Sequence, residues 1–179
     1  MPTAIIHLRR ARPADARAIA QVHVQTWRDA YADLLPAEFL AGLDVQQREG
    51  HWRAELMVRS SERAPWLAHA DDQVVGFASV GPSRDRGAAA STGELYAIYV
   101  LPDFWDRGVG TDLLRRAEHD LVAHGYADAT LWVLAGNERA RRFYERAGWH
   151  LDGERLDRIG DIEVEEVRYR RTLEPPRLG

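Results

Sequence analysis

Tyr96-Ala97-Ile98-Tyr99-Val100-Leu101-Pro102-Asp103-Phe104-Trp105-Asp106-Arg107-Gly108-Val109-Gly110-Thr111 is the most informative segment of the chain. Its first half closes an apolar strand over Glu94–Leu101, and Pro102 turns the chain. Gly108 and Gly110 then open a helix over Gly108–His124, on which Val109, Leu113, Ala117 and Leu121 form one apolar stripe. Glycines at a strand-to-helix turn let the backbone approach a ligand closely, and the unpaired N–H groups of the first helical turn point at that ligand. A phosphate or pyrophosphate is the natural occupant. Arg107 adds a charge-assisted contact. A lone Gly-x-Gly is equally the signature of a plain tight turn. The stretch is not a Walker loop, because Gly-Lys-Ser/Thr is absent. A dinucleotide fingerprint would need Gly where Leu113 stands.

Outward from this point, the hydrophobic period assigns the other elements. Ala4–Arg10 reads as a first strand. Pro13–Tyr31 is an amphipathic helix, with Ile19, Val22, His23, Thr26, Trp27 and Ala30 on its apolar face. Leu34-Leu35-Pro36 breaks it, and helices over Pro36–Leu43 and Val45–Ser60 follow. Pro65–Ala70 and Gln73–Gly81 are strands joined at Asp71-Asp72, and Pro82–Gly93 reads as a mobile loop. After the central helix come a strand over Ala127–Leu134, a helix over Asn137–Ala147, and closing strands near Trp149–Asp157 and Ile162–Arg171. The order predicts an α/β (α+β) fold with a mixed sheet of about seven strands and about four helices, as one domain over residues 1–179.

Composition narrows the chemistry. The chain of 179 residues has no Cys, and all 24 of its basic residues are Arg. Disulfides, acyl-cysteine intermediates and Cys-bound metal sites are therefore closed, as are Schiff-base and Walker-lysine chemistry. A net charge of −4 gives no footprint for a nucleic-acid backbone. No apolar run approaches a membrane span, and the N-terminus does not read as a signal segment. These features predict a cytoplasmic protein with small-molecule or peptide partners, without nucleic acid or membrane.

A second motif lies past the strand that follows the glycine turn. Asn137-Glu138-Arg139-Ala140-Arg141-Arg142-Phe143-Tyr144-Glu145-Arg146-Ala147-Gly148-Trp149 matches Asn-x-x-Ala-x-x-Phe-Tyr-x-x-x-Gly-Phe/Trp. With Trp105-Asp106-Arg107-Gly108-Val109-Gly110 matching Gln/Arg-x-x-Gly-x-Gly/Ala except at its first position, the chain resembles the GNAT superfamily of acyl-CoA-dependent N-acetyltransferases over roughly Ala4–Arg171. That resemblance implies acetyl-CoA as co-substrate and no metal. It implies that strand Glu94–Leu101 splays from strand Ala127–Leu134 to receive the pantetheine, with backbone contacts from Ile98, Tyr99 and Val100. The Val100 N–H would polarise the thioester carbonyl. Backbone amides from Trp105 and Asp106 through Arg107, Gly108, Val109, Gly110 and Thr111 would surround the pyrophosphate, with the Asp106 carboxylate turned to solvent. Asn137 would contact the pantetheine or a water.

The same resemblance implies that Tyr144 is the general acid, since a phenol is protonated at neutral pH. The plain alternative is that Tyr144 packs beside Phe143 and hydrogen-bonds the co-substrate. Glu94 is the leading base, working through water, against a plain solvent-exposed strand-end carboxylate. His23 and His51 are alternatives, though His23 lies on an apolar helix face. Tyr96 shares Glu94's strand face by period-two alternation. Trp27 and Tyr31, with Leu35, either line the amine pocket or pack the first helix on the sheet. The expected activity is acetyl transfer from acetyl-CoA to a primary amine of a small molecule or peptide by direct attack in a ternary complex. A non-catalytic acetyl-CoA-binding sensor and a nucleotide-binding protein are the competing readings. Pairing into a homodimer through the closing strands is a further expectation.

Overall fold

The described residues form strands of five to eleven residues and α-helices of five to fifteen. The computed structural model describes residues 5–60 and 63–174. Ala4, in the expected first strand, lies outside them. The strands are β1 (Ile6–Arg10), β2 (Trp66–Ala70), β3 (Gln73–Pro82), β4 (Thr92–Val100), β5 (Asp128–Leu134), β6 (His150–Ile159) and β7 (Ile162–Thr172). The helices are α1 (Ala16–Ala30), α2 (Ala37–Ala41), α3 (Val45–Val58), α4 (Val109–Ala123) and α5 (Glu138–Arg146). That is five among the described residues, against an expected total of about four, and each lies within or close to a segment read as helical.

The strands form one mixed sheet in the order β1-β2-β3-β4-β5-β7-β6. β1, β2 and β3 meander antiparallel. β4 runs parallel to β5, with Thr92–Glu94 registered on Asp128–Thr130. β7 lies antiparallel between β5 and β6. Tight turns at Asp71 (φ 51°) and Gly160 (φ 61°) sit where the sequence placed them.

Two expectations need correction. Pro13–Asp15 is a 3-10 turn, so the first α-helix begins at Ala16. The cause is local: the Asp15 carboxylate accepts from the Arg12 N–H at 2.7 Å and from both terminal nitrogens of Arg9 at 2.8 Å. The loop after β3, expected to be mobile, is tied down by its own side chains, as shown below.

The chain divides into two compact units, residues 1–80 with 97–117, and 81–96 with 118–179. In the first, Ala16, Ile19, Ala20, Val22, Trp52, Leu56, Leu67 and Phe77 form a buried core joined by Ala97, Tyr99 and Leu101. Arg28, in the last turn of α1, donates to the carbonyls of Leu40 (3.1 Å) and Leu43 (2.8 Å). Both carbonyls lie in the turn that ends α2, so this one guanidinium ties α1 to α2. In the second unit, Leu131, Tyr144, Trp149, Val167 and Tyr169 are buried. Glu118 accepts from Trp149 Nε1 at 2.9 Å and from Arg171 at 3.0 Å. Burial raises the Glu118 pKa, while Arg171 and the Trp149 hydrogen bond oppose that shift.

Candidate active site

The glycine turn lies in the first unit. Pro102–Phe104 makes a 3-10 turn, Asp106 and Gly108 take left-handed φ values of 58° and 81°, and α4 starts at Val109. The first helical bond runs from the Asp112 N–H to the Gly108 carbonyl at 3.0 Å. The amides before it therefore have no acceptor within the helix. Val109 is buried and anchors the turn, whereas Asp106, Arg107, Gly108 and Thr111 are exposed. The Arg107 guanidinium lies 5.5 Å from the Phe104 ring. Trp105, the departure from the motif, donates its indole N–H to the Val100 carbonyl at 2.7 Å. It thus braces the turn against the end of β4.

The same unit contains a buried polar group at the centre of an aromatic cluster. His23 projects from α1 with ring centroids of Tyr99 at 5.0 Å, Trp27 at 5.5 Å, Phe77 at 6.1 Å and Trp52 at 6.2 Å. Tyr31 packs edge-on to Trp27 at 5.1 Å, and Leu35 is buried. His23 Nδ1 accepts from Trp52 Nε1 at 3.3 Å, which leaves the ring proton on Nε2. Burial, with Arg48 adding to it, pushes the His23 pKa down to about 3, so the imidazole is neutral at ordinary pH. Its Nε2, the Trp27 Nε1 and the hydroxyls of Thr26 and Ser79 are buried without a hydrogen-bond partner among the described residues. His51 is exposed.

In the second unit, Glu94 is only 2% exposed. It accepts from the Arg84 backbone N–H at 2.7 Å, from Arg84 Nε at 3.0 Å, and from an Arg84 terminal nitrogen. The same guanidinium lies 4.2 Å from the Tyr96 ring centroid, so Glu94 and Tyr96 flank one arginine. Tyr96 donates its hydroxyl proton to the Pro82 carbonyl at 2.6 Å. The next loop residue, Asp85, accepts from Trp132 Nε1 at 2.7 Å and from Arg168 at 2.9 Å. Arg84 and Asp85 are the residues that sequence reasoning missed. Their partners are 10, 47 and 83 positions away, so no local spacing signals them.

Tyr144 is buried on α5, with ring centroids of Phe143 at 5.3 Å, Tyr169 at 6.2 Å and Trp149 at 6.3 Å. Asn137 caps that helix, its side-chain oxygen accepting from the Ala140 N–H at 3.2 Å. The arginines of α5 are not all turned to solvent. Arg142 pairs with Glu138 at the surface, but Arg141 donates to the Tyr169 hydroxyl at 3.1 Å and to the Ala135 carbonyl at 2.9 Å.

Among the described residues, no group of three or more His, Cys, Asp or Glu is placed to hold a metal ion. No helix among them is long and apolar enough to cross a membrane.

The described residues thus combine a glycine turn that feeds a helix N-terminus with a mixed seven-stranded sheet flanked by helices. The family model of the GNAT acetyltransferases matches residues 20–149, and the chain belongs to that family. It is 33% identical over 164 residues, 91% of each chain, to the protein named uncharacterized N-acetyltransferase YuaI of Bacillus subtilis (strain 168). It is 24% identical over 170 residues, 92% of this chain and 98% of the relative, to the spermidine N(1)-acetyltransferase of Thermoplasma acidophilum. The crystal structure of the PaiA N-acetyltransferase of Thermoplasma acidophilum in complex with coenzyme A superposes with a TM-score of 0.70 at 19% identity, covering 94% of this chain and 99% of that one. The protein is an N-acetyltransferase, and acetyl-CoA is its co-substrate.

Proposed function

We propose that the protein transfers the acetyl group directly to a primary amine of a small molecule or peptide in a ternary complex, and that residues 1–179 act as a single catalytic domain. The observation that carries this reading is the exposed turn Arg107–Thr111, whose amides lack helical acceptors while buried Val109 fixes them in place. Such an arrangement fits a pyrophosphate, with Arg107 as its side-chain cation. Trp105 and Asp106 contribute to that turn through the backbone. The match of the family model across residues 20–149, which span both compact units, supports the single domain.

Acetyl-CoA supplies the thioester and its acetyl group. Ile98, Tyr99 and Val100 bind the pantetheine through their backbone, and the Val100 N–H donates to the thioester carbonyl oxygen. Asn137 acts with them through its amide nitrogen, because its oxygen is already used as the cap of α5. Glu94 takes the ammonium proton through a water, since its carboxylate is buried against Arg84. Tyr96 orders that water, and the Tyr144 hydroxyl protonates the departing sulfur. Trp27 and Tyr31 line the amine side. Direct attack fits a chain with no cysteine to carry an acyl group. The Arg84 contact also favours a second reading of Glu94, as the anchor of the loop after β3.

We further propose a cytoplasmic location, with no nucleic-acid or membrane partner, and a homodimer through β6 and β7. The exposed Leu151 and Leu156 on edge strand β6 support the pairing. The enzyme reading is tested by thiol release with an amine panel, beside thermal unfolding with acetyl-CoA. At about 100 times its dissociation constant the co-substrate should stabilise the fold by about 2.7 kcal/mol. No stabilisation and no thiol release would refute it.

A further inference from the structure

On α1 two buried ring N–H donors, those of His23 and Trp27, lack acceptors among the described residues, and their rings are neighbours. His23 is 9% exposed, and its Nδ1 is occupied by the Trp52 indole, so Nε2–H is its remaining polar atom. That atom and Trp27 Nε1–H have no hydrogen-bond partner among the described residues, and the two rings are 5.5 Å apart. A buried donor left unpaired carries its full desolvation cost, so two together on one helix face favour an acceptor oxygen beside them. Both atoms are donors only, and their complement is an oxygen that only accepts. The Arg48 guanidinium, 6.0 Å from the Trp27 ring, adds positive charge there. It favours a carboxylate or carbonyl and opposes a second ammonium group. Tyr99, Phe77 and Tyr31 supply apolar walls, and Tyr99 directly precedes Val100 in β4.

Building on the N-acetyltransferase reading, we propose that the amine acceptor is an α-amino carbonyl compound, a free amino acid or the N-terminal residue of a peptide. Its carboxylate or carbonyl oxygen accepts hydrogen bonds from His23 Nε2 and Trp27 Nε1. The donors select what stands next to the amine, and the aromatic walls receive the adjoining side chain.

The test is thiol release with matched acceptors: alanine, leucine and phenylalanine, their amides, dipeptides beginning with each, and the amines left when the carboxyl group is removed, with spermidine as the polycationic rival. The expected kcat/KM for the carbonyl-bearing member of each pair exceeds that of its decarboxylated partner by about 10-fold or more. Free amino acids against dipeptides separate the two sources of the carbonyl. His23→Phe and Trp27→Phe each remove one donor and should pull that ratio towards one. His23→Gln keeps both an acceptor for Trp52 and a donor, and should retain it. The ratio is insensitive to a uniform loss of folded protein. Equal or better turnover of the decarboxylated amines or spermidine overturns the proposal, as does an unchanged ratio in His23→Phe. If no acceptor releases thiol, calorimetric binding of the same pairs to the CoA-loaded protein reads the preference instead, and an absent preference overturns it. Failure of acetyl-CoA itself to bind would instead count against the enzyme reading.

Discussion

Replacing His23 by Gln should flatten the acid side of the stability profile. The wild-type imidazole is buried with its Nδ1 bound by Trp52 and its pKa pushed down to about 3, against 6.5 for the unperturbed group. The unfolded chain therefore binds a proton at this residue that the folded chain refuses. Stability is lost as pH falls through 6.5, and the loss is complete only near pH 3. Between pH 8 and pH 5 the linkage amounts to about 2 kcal/mol, from about 1.4 kcal/mol for each pH unit below the unfolded value. Gln accepts from Trp52 as the imidazole does, but it does not titrate. The assay is urea unfolding of both proteins across that range, comparing the two slopes. His69, whose pKa burial also lowers, is common to both proteins and cancels. If the profiles run parallel to within about 0.5 kcal/mol, His23 is not the buried neutral group described, and its tautomer argument fails with it.

Tyr144→Phe removes the proposed acid and should lower kcat by about 10²-fold in steady-state assays; an unchanged kcat moves that role elsewhere. Glu94→Gln should abolish the acidic limb of the kcat/KM profile if Glu94 is the base. If it only anchors the loop through Arg84, the limb persists and only the general level of activity falls. Gly76→Ala would place a Cβ 2.8 Å from the Tyr99 carbonyl oxygen and 3.1 Å from Val100 Cγ2. A backbone atom cannot move aside cheaply, so denaturation should show a loss of about 1–3 kcal/mol. KM for acetyl-CoA should rise with it, because β4 shifts at the residues proposed to hold the pantetheine.

Local order was legible because local rules set it. The stripe Val109, Leu113, Ala117 and Leu121 is a periodicity, and all four residues are buried along α4. Gly160 and Asp71 mark turns because those backbone conformations disfavour most other residues. The loop after β3 is the opposite case. Its Gly, Ala and Ser content describes an untethered segment, whereas two charged residues, Arg84 and Asp85, find Glu94, Trp132 and Arg168 only once the strands are laid side by side. Arg141 likewise meets the Tyr169 hydroxyl, 28 positions away, only once β7 is in place.

The family, the element order and the glycine turn can be read from the residues alone, since they rest on short motifs and on spacings within single elements. The sequence also excludes an acyl-cysteine route and a phosphate lysine by omission of both residue types. Only the tertiary structure decided that Glu94 is buried against an arginine, that Trp105 braces the end of β4, and that His23 is neutral with its proton on Nε2. Ionisation and hydrogen-bond direction depend on which groups exclude water from one another. Those groups come from distant parts of the chain and meet only in the folded state.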